Sequence, residues 1–334
     1  MELELIPSIT SAEWDAAVAS FDSALIFHHS AWLNFLDETQ PGKNLRFRIT
    51  RSGRTEGYFV ARHVRKGSFS ILGSPLPGWT TPHMGPIVPG DFDQGAFLTA
   101  LDCLCRQLRI DHAEISHPSL HPECVQAHGF RTIVHPTYLI PIHSDVDQMW
   151  AGLENRRSIR RAQREGLTVK EATDPNFVDR YYEQLEEIFA KQQLVPTYPI
   201  ERARSLVRHL YPHHLLVLEV RLGNQSVATG LFPHDAHTVY FWGGASRVRY
   251  QPLRSNHLLH WALMCQAAQR GVRAYDICGI GQFKSKFGGS KVKLFGYSKS
   301  YSAFARVGRG IYQSAFRAQQ VIRGRVNHLL NINN

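Results

Sequence analysis

Apolar residues recur along the chain at two spacings, one typical of helices and one typical of strands. Spacings of three and four residues predict helices over segments that include 12–19, 93–109, 200–210 and 255–270. The second half reads as helix, helix, three strands, helix, strand, glycine loop and strand. This order indicates an α+β fold in which helices pack against mixed, mainly antiparallel sheets. The predicted strands are 45–49, 58–64, 113–116, 137–142, 214–220, 226–232, 238–243, 273–278 and 294–301.

The length of the chain predicts two domains, because single cores rarely grow far beyond domain size and the sequence has 334 residues. Ser144-Asp-Val-Asp147 fits a capping box that opens a helix. We expect this helix to continue through an arginine-rich stretch and to end at Gly166. The predicted domains are 1–143 and 144–303, followed by a basic helical tail over 304–334.

A helix followed by a strand is found in both halves. Aligning 93–116 with 255–278 pairs Cys103 with Cys265 and Glu114 with Asp276. Either the halves are a degenerate duplication, or two amphipathic helices match by chance.

Charge is distributed unevenly along the chain. The formal net charge is +10, and Asp276 is the last acidic residue. The 58 residues after it carry ten lysines and arginines, so residues 1–276 are balanced. A localised positive field attracts polyanions such as RNA, nucleotide phosphates or anionic lipid headgroups. A basic tail that is merely solvated is the alternative interpretation.

Several common classes of site are excluded by the motifs. Gly279-x-Gly281 lacks the third glycine of a dinucleotide fingerprint, and the chain has no P-loop, no G-x-S-x-G elbow, no H-E-x-x-H and no paired C-x-x-C. Five cysteines in so long a chain predict reduced thiols rather than a disulfide framework. We expect no metal site, although the sequence has 18 histidines.

Localisation is predicted from the apolar runs and the N-terminus. The longest apolar runs, such as Leu215–Leu218, are far shorter than the roughly 20 residues that span a bilayer. The acidic start, Met1–Glu4, lacks the basic region of a signal peptide. We therefore expect a cytoplasmic protein.

One face of the helix after Leu153 is predicted to be strongly basic. Its four arginines follow the i, i+3, i+4, i+7 rule, and in isolation they repel one another. Either Glu154, Glu165 and solvent offset this repulsion, or the face binds a phosphate-rich ligand, which is the preferred interpretation. This arginine stripe comprises Arg157, Arg160, Arg161 and Arg164.

The stretch 276–289 is the strongest candidate for a functional site. A short apolar strand ends there at Asp276 and is followed by glycines and by Lys284 and Lys286, which Phe283 and Phe287 flank. Asp276 at a strand end is suited to position an amine, and a carboxylate that only pairs with one of the lysines is the alternative. Phe287 is better explained by packing than by ligand contact.

Two segments together resemble one protein family. Residues 153–166 are similar to an R-x-x-I-R-K-A-x-x-x-G segment, and 271–289 contains G-x-x-x-x-D-x-x-G followed by F-K-x-x-F-G. Both patterns, in this order, are typical of FemAB-like proteins, the peptidoglycan-bridge branch of the GNAT acyltransferase superfamily. Residues 27–36 resemble the early tryptophan helix of that family. The resemblance covers nearly the whole chain and is densest over 137–300.

The chain also departs from related patterns. It has no long charged heptad stretch for the coiled-coil arm that some FemAB-like proteins insert. It also lacks the R-x-x-G-x-G/A pyrophosphate loop of ordinary CoA-binding GNAT enzymes, since 247–255 reads R-V-R-Y-Q-P-L-R-S.

The resemblance implies two GNAT-like domains in tandem, with the cleft formed largely by the second. It implies an aminoacyltransferase that moves an aminoacyl group from aminoacyl-tRNA to an amine acceptor, a peptidoglycan precursor or another small amine, without a cofactor. Lys284 is then expected near the developing oxyanion, with Asp276 as the second catalytic residue, and Phe283 against the terminal adenine or a sugar. The expected donor-binding residues are Lys286, Lys291, Tyr240, Trp242 and the arginine stripe.

Two other functions stay open at this point. One is an acyl-CoA-dependent N-acyltransferase, whose donor carries a 3′-phosphate for the basic segment. The other is a non-catalytic RNA-binding or membrane-surface-binding protein, since the basic, apolar-studded stretch 311–330 suits peripheral docking. DNA is not an expected partner.

Overall fold

The structure is a computed structural model that describes residues 1–78 and 80–302. Within these residues the chain forms two compact units, 1–135 with 293–302, and 136–292. The sequence placed the boundary at 143/144 and assigned the last strand to the second domain. The structure assigns that strand to the first unit, because residues 297–300 pair with the strand 112–115. The basic tail predicted over 304–334 lies outside the described residues.

The first unit is built on strands that are antiparallel except for one pair. The order of the strands is β1-β2-β3-β4-β6-β14, β4 and β6 are parallel, and β5 pairs with β3. The strands are β1 (Glu2–Leu5), β2 (Lys43–Arg51), β3 (Arg54–Lys66), β4 (Phe69–Ser74), β5 (Gly85–Ile87), β6 (His112–Ile115) and β14 (Ser290–Ser300), which reaches this unit from Lys293 onward. The helices are α1 (Ser11–Ala19), α2 (Ser30–Thr39), α3 (Gln94–Gln107) and α4 (Pro122–Ala127).

The helix α3 supplies much of the apolar core of this unit. Asp93 caps its first turn by accepting a hydrogen bond from the amide of Ala96 at 2.9 Å. Phe97, Leu101 and Leu104 are four and three residues apart, so they share one face, and all three are buried. Phe97 packs on Phe59 of β3, with their ring centroids 5.4 Å apart, and the helical spacing in the sequence predicted this face.

The second unit contains two groups of strands and the remaining helices. One group has the order β12-β10-β9-β8 and is antiparallel, and the other has the order β7-β13-β11. The strands are β7 (Arg131–Pro141), which enters this unit at Pro136, β8 (Leu167–Glu171), β9 (Leu215–Leu222), β10 (Gln225–Pro233), β11 (Thr238–Tyr240), β12 (Gly243–Ser246) and β13 (Ala274–Asp276). The helices are α5 (Val146–Gly152), α6 (Arg156–Arg164), α7 (Phe177–Lys191), α8 (Ile200–Leu210) and α9 (Ser255–Gln269).

The continuous helix predicted from Ser144 to Gly166 is in fact two helices, α5 and α6. The side chain of Asp145, rather than Ser144, caps α5. Leu153 is extended and buried, which interrupts the helix. The guanidinium of Arg156 then donates to the carbonyls of Trp150 and Ala151, which would otherwise be unsatisfied at the end of α5. The prediction was wrong because apolar spacing does not register a buried residue that leaves the helix.

Three of the buried histidines in the first unit lie close enough to influence one another. His28, His83 and His117 are 0%, 4% and 3% exposed, and the ring centroids of His28 and His117 are 5.8 Å apart. His117 donates from Nε2 to the carbonyl of Ser23 at 3.1 Å. Burial, together with the neighbouring His117 and His135, lowers the pKa of His83 to about 3, and burial lowers the pKa of His117 to about 4. The rings are therefore neutral in the folded protein at neutral pH.

These histidines predict a loss of stability in acid. The unfolded chain binds protons near the ordinary pKa of 6.5, whereas folded His83 binds its proton only near pH 3. The stability that the neutral ring contributes is therefore present above pH 6.5 and is lost as the pH falls toward 3. For His83 the stability lost at pH 5 is on the order of 2 kcal/mol. Urea unfolding between pH 7.5 and 5 should show a weaker pH dependence in His83→Gln than in the wild type. The exposed-site variant His121→Gln should keep the wild-type dependence, and equal slopes in all three proteins would contradict the assignment.

Candidate functional site

The chain that runs through β11 and β12 pairs first with β13 and then with β10. Tyr240 in β11 lies opposite Asp276 in a parallel pair with β13, and the amide of Phe241 still donates to the carbonyl of Asp276 at 3.0 Å. The amide of Trp242 donates instead to the carbonyl of Leu231 in β10 at 3.2 Å, and β12 continues as the antiparallel neighbour of β10. The end of β13 is therefore left without a strand partner on that side.

Asp276 ends β13 inside a buried hydrogen-bond network. Its Oδ1 accepts from the hydroxyl of Thr137 at 2.6 Å and from the amide of Cys278 at 2.8 Å, and the Thr137 oxygen accepts from the amide of Gly279 at 2.9 Å. Burial raises the pKa of Asp276, although these hydrogen bonds oppose the rise. Within 1–78 and 80–302 the carboxylate makes no ion pair with Lys284 or any other lysine, so its structural role is to hold the turn after β13.

Lys284 covers the unpartnered end of β13. Its ammonium donates to the carbonyls of Ile277 and Cys278 at 2.9 and 2.8 Å and lies 5.4 Å from the ring centroid of Phe241. Burial lowers the pKa of Lys284, and the nearby Cys278 and Asp276 oppose that shift. An ammonium has three N–H groups. One of the three makes no hydrogen bond to a described residue.

Positive backbone angles allow the loop 277–288 to reach these positions. Gly279 has φ +120°, and a Cβ there would lie 3.4 Å from Nζ of Lys284. Gly288 has φ +79°, and a Cβ there would lie 2.9 Å from the carbonyl oxygen of Gly152. The amide of Glu154 also donates to the carbonyl of Lys286 at 3.1 Å. Glycine is thus required where the loop is held against the turn between α5 and α6.

His260 on α9 joins the site, although the sequence did not single it out. Its Nδ1 lies 2.7 Å from the hydroxyl of Tyr275, and its ring centroid lies 5.1 Å from that of Phe241 and 5.4 Å from that of Phe283. Burial and the positive charge of Lys284 lower the pKa of His260 to about 3. A neutral imidazole therefore packs beside the lysine.

His257 lies one turn earlier on the same helix. Its ring centroid is 4.9 Å from that of Phe283, and burial together with the charges of Arg254 and Lys286 lowers its pKa to about 4. The signal that could have revealed both histidines is their i, i+3 spacing on a predicted helix that immediately precedes the candidate stretch.

The arginine stripe lies on α6 and faces solvent at all four positions. Arg160 lies over the ring of Trp150 at 5.5 Å, and Arg161 forms a surface ion pair with Glu165 at 3.8 Å. Surface pairs of this kind contribute little energy. The stripe is therefore an exposed basic face, and the predicted repulsion is offset mainly by solvent.

The remaining predicted binding residues fall into two groups. Tyr240 and Trp242 are buried, 5% and 7% exposed, and the Trp242 ring packs 5.0 Å from that of Tyr198. Neither ring has an exposed face that an aminoacyl donor could contact. Lys286 is half-buried in the 3₁₀ turn of 284–287, and Lys291 is exposed at the start of β14. Of the flanking phenylalanines, Phe283 is partly exposed and Phe287 is buried.

Two kinds of feature are absent from the part of the chain that the structure describes. No group of three His, Cys, Asp or Glu side chains is arranged to hold a metal ion. No described helix is long and apolar enough to cross a bilayer.

Comparison with known protein families gives a match within the second unit. Residues 154–286 match the family model of the acetyltransferase (GNAT) domain. No functionally curated sequence matches the chain. The matched segment runs from the turn before α6 to Lys286 and so contains Asp276 and Lys284. Residues 154–286 are therefore similar to a GNAT-type acetyltransferase domain, which supports an acyltransferase.

Solved structures place the fold more narrowly. The chain is similar to FemX, with a TM-score of 0.70 and 14% identity over 95% of this chain and 100% of that chain. It is also similar to L-PGS from Bacillus licheniformis (TM-score 0.55, 11% identity, 91% and 95% covered). A tandem GNAT protein from the clavulanic acid biosynthesis pathway matches with a TM-score of 0.52 and 12% identity over 90% and 99%. The chain thus has two GNAT-like domains in tandem, and the resemblance to the FemAB-like branch is confirmed at the level of the fold.

The Thr137 hydroxyl gives a direct test of the network at the end of β13. Thr137→Val keeps the shape of the side chain but leaves Oδ1 of Asp276 without one donor and the amide of Gly279 without an acceptor. We expect urea unfolding to show a loss of about 1–3 kcal/mol, because the carboxylate of Asp276 is buried and Gly279 is half-buried. Thr168→Val, at an exposed position on β8, should change stability by less than about 0.5 kcal/mol. Equal losses in the two variants would contradict the role of the network.

Proposed function

We propose that this protein transfers an aminoacyl group from aminoacyl-tRNA to an amine. The observation that carries the proposal is the ammonium of Lys284, held by two backbone carbonyls at the open end of β13 with one N–H left over. A donor at that point places the oxygen of a tetrahedral intermediate near a fixed positive charge, which is the usual way to lower the barrier of acyl transfer. The similarity to FemX and L-PGS in fold supports this chemistry.

The reaction proceeds by addition and elimination at an ester carbonyl. The neutral amine nitrogen attacks the carbonyl carbon, and the negative charge develops on the carbonyl oxygen beside Lys284. The C–O bond to the ribose then breaks as the amide forms, and the proton lost by the amine ends on the ribose oxygen. His257 and His260 are neutral at pH 7, so they do not add to the positive charge of Lys284, whose ammonium lies 5.4 Å from the ring centroid of Phe241.

The donor is proposed to be tRNA because positive charge surrounds the site without a pyrophosphate loop. The arginine stripe, Lys286 and Lys291 are suited to phosphates along a strand, and 247–255 lacks the glycines of a CoA loop. The acceptor is an amine of a peptidoglycan precursor or of another small molecule. We expect the protein to be cytoplasmic, where aminoacyl-tRNA is available.

The donor is identified by incubating the protein with labelled aminoacyl-tRNA or labelled acetyl-CoA and a panel of amines, with and without RNase. We expect transfer from aminoacyl-tRNA that RNase abolishes. RNase-resistant transfer from acetyl-CoA would replace the donor with acyl-CoA, and no transfer from either donor would contradict the proposal.

Lys284→Met tests the catalytic assignment while keeping much of the aliphatic stem. Loss of the charge should lower kcat by about 10²–10³-fold with a smaller change in KM, since the ammonium acts mainly on the transition state. Lys293→Met, at an exposed position, should leave kcat unchanged. Circular dichroism checks that both variants are folded, and a folded Lys284→Met enzyme with wild-type turnover would exclude the assignment.

The arginine stripe is tested by the salt dependence of donor binding. The double variant Arg157→Gln, Arg164→Gln should bind the donor with a weaker salt dependence. The slope of the logarithm of the binding constant against log[salt] should fall by about 0.7 for each lost contact with a single strand. Arg106→Gln, which alters an exposed arginine on α3, should not change the slope. Donor affinity that does not depend on salt in the wild type would remove the electrostatic part of the proposal.

A further inference from the structure

A serine, a histidine and a glutamate lie side by side on β6 and β14 in the first unit. Ser300 lies directly opposite His112 in this antiparallel pair, and Glu114 follows His112 by two residues on β6. Opposite residues and alternate residues of neighbouring strands point to the same face of a sheet, so the three side chains share one face. The acyl transfer proposed above uses none of them.

The three side chains form a hydrogen-bonded row. Oγ of Ser300 lies 2.8 Å from Nδ1 of His112, and Nε2 of His112 lies 3.0 Å from Oε1 of Glu114. An ionised carboxylate only accepts hydrogen bonds, so Nε2 carries the proton that Glu114 accepts. In the neutral imidazole Nδ1 is then the acceptor, and the hydroxyl of Ser300 donates to it. The row is therefore oriented so that a proton can pass from the serine to the histidine.

Exposure to solvent differs along the row. His112 and Glu114 are buried, at 7% and 9% exposed, whereas Ser300 is partly exposed. Solvent thus reaches the row at the serine, and the imidazole is held between two hydrogen bonds inside the unit. A ring fixed in this way keeps Nδ1 directed at the hydroxyl.

The second unit has no histidine at the equivalent position of its sequence. The alignment of 93–116 with 255–278 places Ala274 opposite His112 and Asp276 opposite Glu114. Asp276 accepts a hydrogen bond from Thr137 instead. The row is therefore specific to the first unit and is not a copy of the network at the end of β13.

We propose that Ser300 is the nucleophile of a second acylation site, which takes an acyl group from an activated ester. Oγ of Ser300 attacks the carbonyl carbon of the ester and its proton passes to Nδ1 of His112, while Glu114 holds the ring and stabilises the imidazolium. The C–O bond to the leaving group then breaks, and the leaving oxygen takes the proton from His112. The acyl group remains on Ser300 as an ester.

The spacing of the three groups supports this assignment. A nucleophile, a base at hydrogen-bond distance and a third group that orients the base are the pattern of an activated serine. The two ring nitrogens exchange roles relative to the serine proteases, which leaves the direction of proton transfer unchanged. The site lies within the first unit and does not depend on aminoacyl-tRNA or on Lys284.

Acetylation of the full chain by p-nitrophenyl acetate, located by mass spectrometry, tests the site. We expect Ser300 to be acetylated at least about 10²-fold faster than Ser68, an exposed serine between β3 and β4. His112→Gln should remove most of this difference, since a general base contributes about 10²–10⁴-fold. Ser300→Ala should carry no acetyl group at that position, and the control Ser68→Ala should leave the acetylation of Ser300 unchanged.

Glu114 is tested as a positioning residue. Glu114→Gln keeps the shape of the side chain but can offer an amide N–H to Nε2, which favours the wrong tautomer of His112, so acetylation of Ser300 should slow by at least about tenfold. Glu114→Asp keeps the carboxylate and should restore part of the rate. A purely structural role would instead make the shorter aspartate at least as harmful as the glutamine.

Two results would overturn the proposal. Acetylation of Ser300 no faster than that of Ser68 in the wild type would assign the row to packing alone, and an unchanged rate in folded His112→Gln would remove the histidine as the base. Circular dichroism establishes that the variants are folded. If His112→Gln is not folded, the comparison of Ser300 with Ser68 within the wild type decides.

Discussion

The departure of β12 from β13 is the constraint on which the rest of the site depends. Once the strand turns at Phe241 and Trp242 to join β10, the carbonyls of Ile277 and Cys278 have no strand partner. Buried carbonyls must find donors, and Lys284 provides them. A lysine that meets this need is also a fixed positive charge at the end of β13, so one side chain supports the fold and would serve the proposed chemistry.

The loop that returns Lys284 to this point is held at both ends. At its start, Thr137 links the carboxylate of Asp276 to the amide of Gly279, and at its end Gly288 lies against the backbone of Gly152. Between these anchors His260 and Phe283 pack beside the lysine and limit its contact with water. Preorganised charge of this kind requires little rearrangement during the reaction.

The sequence predicted most of the elements and pointed to the stretch around Lys284, because helical and strand periodicities and the F-K-x-x-F-G spacing are local properties of the chain. The arginine stripe was likewise predictable from spacing. The change of strand partner, the role of Thr137 more than a hundred residues from Asp276 and the burial of Tyr240 were decided only by the tertiary structure. These depend on which strands meet, and no pattern along one segment records its distant neighbours. The break between α5 and α6 was missed for the same reason, since the carbonyls that Arg156 satisfies are exposed only once Leu153 is drawn into the core.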